Sequence, residues 1–125
     1  MKTISTPKSP PPAGHYSQAV VCGGVVYVAG QLGTDPATPG QPAGDAAAQT
    51  RQALTNIGTI LEAAGSGLRH ILSATVYVTD MNLWGVVNEA YADVMGDHRP
   101  ARAIVPIGPL KGDYVVEIQV MAMLP

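Results

Sequence analysis

The sequence predicts an α+β domain in which one sheet carries two helices on a single face. Three observations lead there. Two stretches place apolar residues at the three-and-four spacing of an amphipathic helix, and several others alternate or run apolar as strands do. In order they read strand, strand, helix, strand, helix, strand, strand, with room for a short strand in front, which is the succession one covered sheet requires. The chain has 125 residues, enough for one core and no second folding unit, so residues 1–125 are read as a single domain with residues 1–13 as an extended, proline-rich lead-in.

Residues 2–6 have strand character, and Pro7, Pro10, Pro11 and Pro12 then forbid regular pairing or helix. A strand beginning near Ala19 runs to Cys22, and Gly23-Gly24 joins it to VVYVAG, the signature of a tight hairpin. The stretch AGQLGTDPATPGQPAGD is a loop by its Gly, Pro and Asp content. It lacks the Gly-Lys-Ser/Thr of a phosphate cradle.

Asp45 is placed to cap a helix that runs to about Ala64, where Gly65 offers a left-handed stop. Its apolar face is Ala53, Leu54, Ile57, Ile60, Leu61 and Ala64. The next stretch, ILSATVYVTD, alternates, with Leu72, Ala74, Val76 and Val78 facing one way and Ile71, Ser73, Thr75 and Tyr77 the other. Asp80 or Asn82 then caps a second helix through about Met95, ended by Gly96, with Trp84, Val87, Tyr91 and Val94 as its buried stripe and Asn88 on the border. Two strands follow, ARAIVPI and YVVEIQVMAML, joined by PLKGD.

Composition narrows the functional classes. Charged residues make up 13% of the chain and apolar ones 46%, against the ~25% charge usual in soluble domains. So few charges cannot cover a small domain, and with helices on one face only, the other face of the sheet is expected to pack against further copies. The net charge of −2 and the scattered basic residues give no nucleic-acid surface. No apolar run reaches the ~18 residues of a membrane span, and the start MKTISTPKSPPPAG has no signal-peptide core, so a cytoplasmic location is expected. His15, His70 and His98 have no partners at ligand spacing, so no metal site is expected. Cys22 is the only cysteine and reads as a buried, inert thiol rather than a nucleophile.

Two charges stand out because each interrupts an apolar strand: Arg102 in ARAIVPI and Glu117 in YVVEIQVMAML. Desolvating either one alone costs several kcal/mol. They either pair with each other as a buried bridge or face a cavity. In a cavity, Arg102 has the planar fork that grips a carboxylate, and a half-buried Glu117 would be suited to hold or activate water.

The pieces GHYSQAV, VVYVAGQL, ALTNIGTILEAAGSGL, TVYVTDMNLWGVVNEAY, PARAIV and LKGDYVVEIQVMA, in this order and spacing, resemble the Rid (reactive intermediate deaminase, YjgF-like) family over nearly the whole chain. The resemblance implies a chorismate-mutase-like α+β fold, a single mixed sheet with two helices on one face, and a homotrimer with clefts between subunits. It implies cofactor-free hydrolysis of small enamine or imine intermediates, such as 2-aminoacrylate and related 2-imino acids, to 2-keto acids and ammonia. Position by position, it makes Arg102 the carboxylate clamp and Glu117 the acid that positions water. Tyr16, Gly30 and Asn88 become cleft residues, and Ile104 a position that serves through its backbone N–H. The chain departs from the pattern in carrying Ala29 where a serine is common and Ile104 where a cysteine is common, and its linker MGDHRPAR is shorter before the arginine. These departures keep open a different, larger unsaturated acid as substrate, or a module that binds small carboxylates without turnover.

Overall fold

Adjacent glycines set the first turn. Gly23 and Gly24 take φ of +58° and +77°, the paired left-handed conformation of a two-residue hairpin that glycine adopts without steric cost. They join β2 (Ala19–Cys22) to β3 (Val25–Leu32) with Cys22 opposite Val25. The computed structural model describes residues 1–125 and adds β1 (Lys2–Ile4), β4 (Ile71–Val78), β5 (Ala101–Pro106) and β6 (Val116–Met123). The six strands form one sheet in the order β1-β2-β3-β6-β4-β5. Only the β4–β5 pair is parallel, so the sheet is mixed.

The first helix, α1 (Ala46–Ala63), starts where the sequence places it. The Asp45 side chain accepts from the Ala48 N–H, and Gly65 closes the far end at φ +85°. Leu54, Ile57, Ile60 and Leu61 of α1 are fully buried against Val26, Val28, Val76, Val78, Val116 and Ile118 of the sheet. Each such side chain contributes about 1.5–3 kcal/mol of burial.

The second helix, α2 (Trp84–Met95), differs from expectation in two ways. Asp80 caps a single 3-10 turn, Met81–Leu83, by accepting from the Asn82 N–H, and α2 begins after it with no side-chain cap. The buried stripe is Val87, Ala90, Tyr91 and Met95, while Trp84 is 41% exposed and Val94 only partly covered. The helix packs chiefly against α1, with Val87, Tyr91 and Met95 in the common core, and that contact rotates the buried stripe toward Ala90.

Strand β4 also departs from simple alternation. Ile71 pairs with Ala122 and Ser73 with Met121, so Leu72 is an extra residue. The bulge turns Ile71 into the core and leaves Leu72 47% exposed. Cys22, expected to be buried, is exposed at the hairpin rim.

The sheet face away from the helices carries Tyr27, Met121 and Met123, all more than 40% exposed, with Tyr27 and Met121 paired across β3 and β6. No part of the chain covers these side chains. No helix is long and apolar enough to cross a membrane.

Candidate active site

Strand alternation fixes where the two interrupting charges point. Val116 and Ile118 are buried beneath the helices, so Glu117 between them projects from the opposite face, beside Tyr77 of β4 and Leu32 of β3. Arg102 lies beside Ala74, which is buried on the helix side, so its guanidinium projects toward α2. The two cannot bridge within one chain. The chain's single ion pair is a surface contact between Arg51 and Asp93.

The β3–β6 register shifts between Val28 and Gln31, and the irregular Ala29-Gly30 segment sits directly over Glu117. A Cβ on Gly30 would lie 2.6 Å from Glu117 Oε2. Glycine is therefore required for the carboxylate to lie where it does. Glu117 is half-buried and accepts no hydrogen bond in the chain, and burial pushes its carboxyl pKa above the ordinary value.

Around this carboxylate is a cavity of about 600 Å3, reached by Tyr16, Gly30, Lys111 and Tyr114 and walled by Pro10, Pro11 and Pro12 of the lead-in. Prolines cannot be held by a ladder, so side chains hold them. Buried Gln18 accepts from the Thr6 N–H and donates to the carbonyls of Thr6, Ser9 and Pro10. Buried Gln49 ties α1 to the loop before β6, donating to Asp113 O and accepting from the Val115 N–H, and Tyr114 is fixed by a 2.6 Å hydroxyl bond with Thr34. The cavity has rigid walls although most of its lining is loop.

Arg102 faces a second cavity, of about 510 Å3, with Asn88, Tyr91 and Arg99. Its guanidinium carbon lies 4.8 Å from the Tyr91 ring centroid and 5.9 Å from that of Trp84. Stacking between two rings orients the fork without neutralising it. The Tyr91 hydroxyl is buried with no hydrogen-bond partner, at a cost of about 1–3 kcal/mol. Its pKa is raised, chiefly by burial, while the charge of Arg102 acts to lower it, so it remains a neutral donor.

The structure thus brings Tyr16, Gly30 and Glu117 together on one cavity and Asn88 and Arg102 on another. Ile104 turns its side chain toward the core. Its backbone does not: Ile107 N–H bonds Val78 O, so alternation directs the N–H groups of Val105 and Ala103 at β4 and those of Ile104 and Arg102 out along the free edge of β5. Sequence reasoning missed that Trp84 and Tyr91 flank Arg102. Their spacing with Asn88, at 84, 88 and 91, places all three on one helix face and was the available signal.

The chain is thus an α+β sheet with an unpaired guanidinium at one edge and an unpaired, glycine-covered carboxylate on its open face. The chain belongs to the family described as Endoribonuclease L-PSP, whose sequence pattern matches residues 6–124, and which includes the YjgF and RidA proteins. It is 42% identical over 122 residues to a protein of Bos taurus named 2-iminobutanoate/2-iminopropanoate deaminase, covering 98% of this chain and 89% of the relative. Its structure is similar to that of RidA from the Antarctic bacterium Psychrobacter sp., with TM-score 0.92 and 40% identity over 98% of this chain and 99% of the other. It is also similar to E. coli TdcF with bound serine, with TM-score 0.91 and 32% identity over 98% of each chain.

Proposed function

We propose that this protein hydrolyses small 2-imino acids, with their enamine tautomers, to 2-keto acids and ammonia, at sites formed between the subunits of a homotrimer. The observation that carries the reading is the separation of the two charges: each faces a cavity, and neither has a partner in its own chain. Association through the bare sheet face of Tyr27, Met121 and Met123 would bring the Arg102 edge of one subunit to the Glu117 cavity of the next. The bovine relative's name and the serine held by TdcF support a small amino-acid-like ligand.

In this reading Arg102 holds the substrate carboxylate through its fork, and the outward N–H of Ile104 is a further donor at the same edge. The enamine tautomerises to the imine. Water near Glu117 gives up a proton to the carboxylate as its oxygen bonds to the C=N carbon, and the π electrons move to nitrogen, which takes a proton. In the resulting carbinolamine the carboxylate takes the hydroxyl proton and returns it to the amino nitrogen, C=O forms, the C–N bond breaks and ammonia leaves. A carboxyl with a raised pKa is suited to both taking and returning the proton near neutral pH. Tyr16, Gly30 and Asn88 shape the cleft around the reacting carbon.

The Glu117 cavity carries one basic residue, Lys111. A larger unsaturated acid is the second reading, favoured by the roughly 600 Å3 of that cavity, which a three-carbon acid would leave mostly empty. The test is keto-acid release from imines generated in place by an amino-acid oxidase or dehydratase. Acceleration over buffer that is lost in Arg102→Ala supports the reading, and no acceleration, or an unaffected variant, rejects it.

A further inference from the structure

The cavity next to Arg102 holds more positive charge than one carboxylate needs. Of its nine lining residues two are arginines, Arg99 and Arg102, and none is acidic. Neither arginine is in an ion pair, since the one salt bridge of the chain lies elsewhere. Tyr91 meets the same cavity with its ring, stacked on Arg102, while its hydroxyl is sealed from solvent. His98 donates from Nε2 to the carbonyl of Ile71, an arrangement that anchors the short turn carrying Arg99. Two guanidiniums with no anion between them are the complement of a ligand with a second acidic group.

We propose that the preferred substrate is a dicarboxylic 2-imino acid whose far carboxylate is held by Arg99 while Arg102 holds the carboxylate next to the imine. This rests on the hydrolytic reading given above and adds a substrate class to it. The short linker between α2 and β5 makes the subsite possible: Gly96 ends the helix and Arg99 follows only three residues later, which sets it on the same cavity as Arg102. At about 510 Å3 the space accommodates a four- or five-carbon diacid.

Two arms test it. Keto-acid release is compared for 2-iminopropanoate, 2-iminobutanedioate and 2-iminopentanedioate, each generated by an oxidase acting on the matching amino acid. Calorimetry compares binding of propanoate and butanedioate, which needs no turnover. Wild-type protein should favour the diacid by at least tenfold in both arms. Arg99→Ala should lower that preference at least tenfold, and Arg99→Lys should keep part of it. Because Arg99 is exposed, its truncation leaves the core intact. Equal binding of mono- and diacid, or a preference unchanged in Arg99→Ala, overturns the subsite. A binding preference that persists without hydrolysis of any imine supports the subsite while rejecting the hydrolytic reading.

Discussion

Arg102 and Glu117 stand on opposite faces of one sheet, Arg102 beside buried Ala74 and Glu117 beside Tyr77 on the open face. A single chain holds both halves of the proposed site and cannot bring them together. The kinetic consequence is that Arg102 should behave as a binding group. Arg102→Ala removes charge-assisted bonds of about 1.5–3 kcal/mol, a loss of roughly ten- to hundredfold in kcat/KM for a carboxylate substrate. Arg102→Lys keeps the charge but loses the fork and its stacking on Tyr91, and should recover only part of that loss in steady-state kinetics.

Gly30 and Gly33 separate function from folding. A methyl group at Gly30 meets the end of the Glu117 side chain, which can swing away. Gly30→Ala should keep the fold and melting temperature near wild type while kcat falls on the order of tenfold to a hundredfold, because the carboxylate is misplaced. At Gly33 the added methyl meets the Gln49 backbone in α1, which cannot give. Gly33→Ala should cost about 1–3 kcal/mol of stability, read from chemical denaturation.

The raised pKa of Glu117 has two opposite signatures in pH. As a base it must be ionised, so the acidic limb of the activity profile should lie above the ordinary glutamate value of 4.5. For stability the sign reverses: a carboxyl whose folded pKa is raised binds its proton more tightly when folded. Its favourable contribution is complete below the unfolded value and is lost as pH rises through the folded one. Glu117→Gln should therefore raise the melting temperature more at pH 7.5 than at pH 4. A larger gain at pH 4 would show that the carboxylate is stabilised in its ionised form.

The proline wall depends on Gln18. Gln18→Ala removes the hydrogen bonds to Thr6, Ser9 and Pro10 and leaves those backbone groups unpaired. A loss of about 1–3 kcal/mol is expected, with faster proteolysis near residue 10 than elsewhere.

Most of the fold was legible because local chemistry and global packing agree in this chain. Asp45 and Gly65 bound α1, Gly23-Gly24 turns the first hairpin, and every residue of α1's expected stripe is buried except half-buried Ala64. The misreadings occur where tertiary contact overrides period. A bulge at Leu72 swaps the faces of β4's first residues, contact with α1 rotates the stripe of α2, and Trp84 stays exposed beside Arg102. At the site, the two anomalous charges were visible as residues, but not their opposite faces. Alternation within each strand predicts a face only relative to its neighbours in that strand, and the parallel registry of Arg102 with Ala74 relates the two strands only once the sheet is assembled.

The central claim, that Arg102 of one subunit works with Glu117 of another, is tested most directly by mixing two impaired variants. Arg102→Ala and Glu117→Gln proteins, unfolded together and refolded so that subunits exchange, should hydrolyse imines faster than either parent alone, because some mixed interfaces carry both intact residues. A mixture that exchanges subunits, as mass spectrometry of intact assemblies would show, yet is no more active than its parents contradicts the account.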